Sequence, residues 1–498
     1  MEGLSLQRRK IVAVLLLFLC LFLSACGYEE EVKNVQKTDV EEQIAIEENN
    51  DVMQSEVLEE APVAVPNVLV DQIGYDVKER KVVYFRGEDL KKEFDVIDYN
   101  TGETVFSGTM KDPVLDEETK TYLSEGDFSA HIVPGTYYIQ TAIIGQSYTF
   151  AIGDEIYVKQ LENIAGSFYK QRCNNGGGWH TGGEWKDTIW GAKTASNILW
   201  FYELADPKVL EVLDASRKNS KNPDLLSEVK FEAEWLLKMQ NITNGGVYPG
   251  SACDENCATH AFEETVMIPD SETISPEATG EFAIFMAQAY RLYKDNDQEF
   301  ATNCLYAAEK AYGYLSNNTE DSSLKYYAAA QLYKSTGNQK YVGFVVDYYH
   351  KNKMNLEAGQ EDPILAGNLT YLTTTYRVDV DLCQEMMGQI MDLAEVTASH
   401  ASQNSYFVCG TTEKRTTSSV IENMSVLSLA DKVVSTNEYL SYILSGYHYL
   451  NGRNPSGEYL LTPEHAMLEE QIEEYNVLYL QSKLLFVLSE IVGSEEMK

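Results

Sequence analysis

Two patterns of apolar and polar positions divide this chain. Between residue 66 and about 153, four segments read as strands: Lys81-Val82-Val83-Tyr84-Phe85, Phe94-Asp95-Val96-Ile97-Asp98-Tyr99, Thr136-Tyr137-Tyr138-Ile139-Gln140-Thr141 and Ser147-Tyr148-Thr149-Phe150-Ala151-Ile152. Asn100-Thr101-Gly102 and Pro134-Gly135 supply turns, and strands at this spacing predict an all-β sandwich. After Tyr157 the period becomes helical. Twelve helices are expected, near 157–171, 190–205, 223–240, 275–294, 297–316, 321–336, 338–352, 362–375, 379–403, 417–433, 437–451 and 469–492. The stretch Glu232-Ala233-Glu234-Trp235-Leu236-Leu237-Lys238-Met239 is amphipathic, and Asp224 and Ser275 are candidate N-caps. Twelve helices in six pairs make an all-α (α/α)6 barrel.

The N-terminus follows neither pattern. Arg8, Arg9 and Lys10 precede an apolar run from Ile11 to Leu23. The run is short for a bilayer span and reads as the h-region of a signal peptide. It ends Leu23-Ser24-Ala25-Cys26, the spacing of a bacterial lipobox. Residues 1–26 are therefore expected to be a lipoprotein signal peptide with lipid attached at Cys26. The next segment, 27–65, holds twelve Asp or Glu against Lys33 and Lys37. Such a composition cannot bury enough surface to fold and predicts an acidic tether. The implied location is extracytoplasmic, anchored to the membrane by the lipid alone and exposed at the cell surface.

The formal net charge of −38 excludes nucleic acid as a partner, since such binding needs clustered Lys and Arg. It suits a neutral or cationic substrate and a soluble monomer. Of the cysteines beyond Cys26, only Cys253-Asp-Glu-Asn-Cys257 is a close pair. Loop disulfide, partial metal site with His260, and two thiols all stay open. No cofactor is implied; the abundant acidic loops leave a structural calcium open, although none has the spacing of an EF-hand site. Also absent are G-x-S-x-G, the Walker loop, H-E-x-x-H and the dinucleotide fingerprint.

The most informative chemistry lies in Gly176-Gly177-Gly178-Trp179-His180-Thr181-Gly182-Gly183-Glu184-Trp185. Glycines forbid regular structure and let backbone approach a ligand. Indoles stack on sugar rings, and a carboxylate can polarise water. A carbohydrate cleft with a general base has this composition; so does a tight loop whose tryptophans plug a core.

Several segments carry a resemblance. Val70-Asp71-Gln72-Ile73-Gly74-Tyr75, Gly126-Asp127-Phe128-Ser129-Ala130 and Pro134-Gly135-Thr136-Tyr137 resemble the immunoglobulin-like module that precedes family 9 glycoside hydrolases. Pro223-Asp224-Leu225-Leu226-Ser227-Glu228, Gly245-Gly246-Val247-Tyr248, Ala278-Thr279-Gly280-Glu281 and Tyr449-Leu450-Asn451-Gly452-Arg453-Asn454-Pro455 resemble the catalytic domain. The resemblance implies an N-terminal immunoglobulin-like β-sandwich, 66–153, followed by an (α/α)6 barrel, 154–498. It also implies inverting cleavage of β-linked glucan or related oligosaccharides, cellulase-like, with the β-module bracing the barrel.

Inversion needs a carboxylate base for water and a carboxylic acid for the leaving oxygen, roughly 6.5–9.5 Å apart. The family's base region reads Trp-His-Asp-Ala-Gly-Asp-Tyr, the second aspartate being the base. Here Trp179 and His180 are kept, Thr181 replaces the first aspartate and Glu184 replaces the second. Aligning the last helix puts Tyr475 at the family's acid position, with Glu474 adjacent and Glu469, Glu470 and Glu473 near. Glu184 is thus the expected base and Glu474 the expected acid. Trp179, His180, Thr181, Trp185, Tyr248 and Arg453 are the expected sugar contacts, and no metal is expected. A relative that binds saccharide or scaffolds surface proteins without catalysis is the alternative. The family's Cys-His metal loop is missing after Cys173, which is therefore expected to be a buried thiol.

Overall fold

The computed structural model describes residues 66–88, 90–173, 176–181, 185–217, 224–252, 274–319, 322–352, 363–410, 415–461 and 477–494. The first part is a β-sandwich. One sheet has the order β1 (Val68–Leu69), β3 (Val82–Arg86), β7 (Thr121–Asp127), β6 (Val114–Asp116). The other runs β2 (Gly74–Tyr75), β10 (Phe150–Ile152), β8 (Gly135–Thr141), β4 (Glu93–Asp98), β5 (Thr104–Thr109), with β9 (Gly145–Gln146) beside β8. Pairing is antiparallel except between β10 and β2. Three of the four strands anticipated here begin within a residue of their expected starts. The last starts three residues late, because Ser147 turns inward to bond the Ile139 amide and the Tyr148 carbonyl.

Strand β3 explains its own unbroken apolar run. Val83 and Phe85 face the sandwich core with Val68, Phe94, Val96 and Ile139. Val82 and Tyr84, on the other face, join Leu69 and Leu123 in the core of the helical domain. A strand buried on both faces loses its alternation.

The helices are α1 (Ile156–Lys170), α2 (Thr188–Leu204), α3 (Pro207–Arg217), α4 (Leu225–Leu236), α5 (Pro276–Tyr293), α6 (Gln298–Asn318), α7 (Ser323–Thr336), α8 (Gln339–Lys351), α9 (Pro363–Leu372), α10 (Val380–Ala401), α11 (Thr417–Val434), α12 (Leu440–Leu450) and α13 (Val477–Gly493). Inner helices α2, α5, α7, α9, α11 and α13 surround one axial cavity. Outer helices α1, α4, α6, α8, α10 and α12 alternate with them in sequence and pack against them, giving an (α/α)6 barrel. The inner helices are buried nearly all round, as Ala278–Ala289 of α5 and Leu478–Ile491 of α13 are, because both the axis and the outer ring cover them.

Asp224 and Ser275 cap their helices as the sequence suggests, accepting the Ser227 and Ala278 amides, and Pro276 occupies the first turn of α5. Helix α3 was not anticipated. Asp206 accepts the Lys208 amide and Pro207 opens the helix. Among the described residues no helix is long and apolar enough to cross a membrane.

Candidate active-site loop and its support

Between α1 and α2 the chain makes a tight double-back. Arg172 bridges Trp179, the Cys173 amide donates to the Gly178 carbonyl at 2.8 Å, and the His180 amide donates to the Gln171 carbonyl at 2.8 Å. Strand β11 (Trp185–Asp187) follows and pairs antiparallel with β12 (Gly250–Ala252). Gly177 and Gly178 have φ of +86° and +79°, a region that favours glycine. A Cβ on Gly178 would stand 2.6 Å from Trp235 Cγ, so the loop backbone lies directly on the Trp235 ring.

Helix α4 holds this loop from beneath. Arg172 Nε donates to both oxygens of Glu228 at 3.0 and 2.8 Å, and Trp179 Nε1 donates to Glu228 Oε1 at 2.8 Å. The Trp179 amide donates to Glu232 Oε2 at 2.6 Å. Lys238 Nζ donates to the Gly176 carbonyl at 3.1 Å, and the buried Lys186 Nζ donates to the Gly177 carbonyl at 3.1 Å. Cys173 is a buried thiol whose sulfur lies 3.6 Å from Lys186 Nζ. Burial pushes the Glu232 carboxyl up to about 8 and holds the Lys186 ammonium below its usual range.

The structure sorts the expected site residues. Glu184 and Glu474 lie outside the described residues, as do Cys26, Cys253 and Cys257. Trp179 has no exposed surface and packs on Phe168, so its indole is a core plug in this structure and not an open stacking platform. His180 and Thr181 are half-buried on the loop rim. Thr181 is a structural element there, its hydroxyl accepting the Asp187 amide at 2.8 Å. Trp185 is half-buried, its Nε1 3.3 Å from Asp187 Oδ2. Tyr248 is half-buried, and its hydroxyl meets Asn241 Nδ2 at 3.1 Å. In the β11–β12 ribbon Trp185 pairs with Ala252, while Tyr248 lies two residues before β12 begins.

Arg453 goes elsewhere. It is buried against the β-module, with its guanidinium over the Tyr84 ring at 5.2 Å and Nη2 donating to Ser445 at 2.9 Å. The Asp71–Tyr75 and Tyr449–Pro455 motifs in fact interlock. The Gln72 amide donates to the Asn451 carbonyl at 2.9 Å, Gln72 Nε2 donates to the Gly457 carbonyl at 2.9 Å, and Arg86 Nη1 donates to the Pro455 carbonyl at 2.7 Å. Asp71 Oδ2 lies 2.8 Å from His448 Nδ1. Burial, with Arg453 beside it, lowers the His448 pKa, so the neutral ring donates through Nδ1.

Asp187, Glu228, Glu232 and Lys186 are the residues that sequence reasoning missed. Asp187 Oδ1 caps α2 through the Ile189 and Trp190 amides. Glu228 and Glu232 are one helical turn apart, a spacing that placed them together on α4; only the loop covering them makes that face interior.

From its cap, α2 runs to the axial cavity of about 110 Å³, whose wall includes Lys193, Trp200, Glu281, Tyr327, Tyr479 and Lys483. Trp200 Nε1 donates to the Tyr327 hydroxyl at 2.9 Å, and the Trp190 and Tyr479 rings pack 5.2 Å apart. Lys193 faces Glu281 at 3.9 Å, and Lys483 donates to Glu422. Polar groups on an aromatic-lined wall suit a hydroxyl-rich ligand. Among the described residues no group of three or more His, Cys, Asp or Glu is placed to hold a metal ion.

Comparison with known proteins agrees with this architecture. The family model "Glycosyl hydrolase family 9" matches residues 162–462, and "Cellulase N-terminal ig-like domain" matches 64–146. The chain is 23% identical over 418 residues to Endoglucanase D of Acetivibrio thermocellus, covering 71% of this chain and 66% of that protein. It is 24% identical over 469 residues to the Cellodextrinase of Butyrivibrio fibrisolvens, covering 78% and 83%. The chain thus spans just under two thirds of the first relative's length. A metagenome-derived family 9 endoglucanase of known structure superposes with a TM-score of 0.72 at 20% identity, over 86% of this chain and 99% of that one. With three fifths of the chain matched by its model, this protein belongs to glycosyl hydrolase family 9.

Proposed function

We propose that the chain hydrolyses β-linked glucan or related oligosaccharides with inversion, from the cell surface, under a lipid anchor at Cys26. Glu184 is the general base and Glu474 the general acid. The observation that carries this reading is the clamped loop. Both arms flanking residues 182–184 are hydrogen-bonded in place, and the second runs straight into the cap of an inner helix. A base that must deliver water to one face of a sugar needs such a fixed mounting. Enclosure of the loop by α4 and its position before α2 support it, as do the relatives' names.

One observation favours a second reading, a saccharide binder without turnover. The Thr181 hydroxyl is committed to the Asp187 amide and brings no charge. The test is reducing-sugar release from a panel of β-glucans by the wild type and by Glu184→Ala, with the anomer of the first product read by NMR. Activity in the wild type, its loss in the variant and an inverted first product are expected. Equal activity in both overturns the base assignment. A retained anomer overturns inversion, and binding without release in both supports the second reading.

A further inference from the structure

We propose that Glu232 is a positioning residue for the base loop, setting the separation of the two arms, Trp179 and Lys186, that flank residues 182–184. The proposal rests on the reading of this loop as the base loop. Three elements meet at this one carboxyl. Its Oε2 accepts the Trp179 amide at 2.6 Å on the first arm. When ionised it attracts the Lys186 ammonium of the second arm. Its Oε1 lies under the first turn of α2, where a Cβ on Gly191 would stand only 2.3 Å away.

Glu232 is fully buried, and Oε1 has no hydrogen-bond partner among the described residues. Burying a carboxyl with one oxygen unanswered is expensive, and an aliphatic side chain would fill the space without that cost. What the aliphatic would lack is the acceptor for Trp179. The charged groups facing Glu232 are Lys186 from β11 and Glu228 from its own helix, the latter already bound by Arg172. Burial and Glu228 favour the protonated form, so at neutral pH the acid is neutral, with the carbonyl oxygen toward Trp179. Glutamine reproduces that state and alanine does not. Ionisation at alkaline pH repels Glu228 and draws Lys186, which changes the spacing of the arms.

The experiment compares wild type, Glu232→Gln and Glu232→Ala in the mature chain, by amide hydrogen exchange over residues 176–181 and by kcat and KM on a soluble β-glucan across neutral to alkaline pH. Glu232→Ala is expected to speed exchange about tenfold and to lower kcat about 100-fold with little change in KM, the loss that a displacement near 1 Å produces. Glu232→Gln is expected to keep exchange and kcat near wild type at neutral pH and to lose the alkaline limb of kcat. Unchanged exchange in Glu232→Ala, or an alkaline limb retained in Glu232→Gln, overturns the proposal. If the alanine variant does not fold, the exchange and pH profile of the glutamine variant decide. If the wild type releases no sugar from any glucan, the hydrolase reading fails, while exchange alone still decides whether Glu232 holds the loop.

Discussion

Removing the Asp71 carboxylate should destabilise the barrel, although Asp71 belongs to the β-module. The side chain has no exposed surface and accepts four donors: the Ile73 amide at 2.8 Å, the Gly74 amide at 3.0 Å, His448 Nδ1 at 2.8 Å and Asn451 Nδ2 at 3.3 Å. Two of these donors are on the barrel. Asp71→Ala leaves all four without an acceptor. A buried donor so stranded costs about 1–3 kcal/mol, so even the low end gives about 4 kcal/mol. Against a total stability of about 5–15 kcal/mol this is a large fraction. With a urea slope of about 3 kcal/mol/M or more, the midpoint falls by about 1 M. All five tryptophans lie between Trp179 and Trp235, inside the barrel, so their fluorescence reports the barrel alone. Far-UV dichroism reports both parts. The two transitions should move down together in the variant. A tryptophan midpoint that stays within about 0.2 M of wild type, while dichroism shows a separate early transition, would refute the idea that this seam couples module and barrel.

Two further outcomes follow from the loop. Gly178→Ala combines a positive φ with a Cβ 2.6 Å from Trp235 Cγ; thermal melting should show a loss of about 2–4 kcal/mol, and sugar release should fall with it. The Glu232 pKa rises from 4.5 unfolded to about 8 folded. The folded chain therefore holds the extra proton between those values, and this contribution to stability is full below 4.5 and lost as pH rises through 8. Urea titrations from pH 5 to 9 should show wild type losing up to about 1.4 kcal/mol per pH unit relative to Glu232→Gln; parallel curves would refute the assignment.

The loop and the seam were legible in the sequence to different degrees. The helix positions could be read because most of these helices carry a capping side chain and an apolar span of their own, as Asp224 and Ser275 show. Helix α3 escaped because its start signal, Asp206-Pro207, is shared with turns. The two tryptophans of the loop illustrate the limit for a site. Trp179 and Trp185 read alike in sequence, but Glu228 takes the Trp179 indole into the core, while Trp185 stays half-buried on a surface ribbon. Arg453 read as a sugar contact because its motif neighbours the expected acid; it turns to Tyr84 because Gly452, at φ +112°, brings that turn against Gln72.

What the sequence determined by itself was local and periodic: the change from strand to helical pattern, the alternation that builds six helix pairs, and the Gly-Trp-His loop that marks the family. These depend on interactions within a few residues, which composition and spacing encode directly. Only the tertiary structure decided which carboxylates are interior. Glu228 and Glu232 become a buried clamp because the chain 50 residues earlier folds over them, and Asp71 becomes a seam anchor because His448 arrives from the far end of the barrel. Burial by distant segments sets the dielectric around each group, and that is a property of the fold that no local pattern carries.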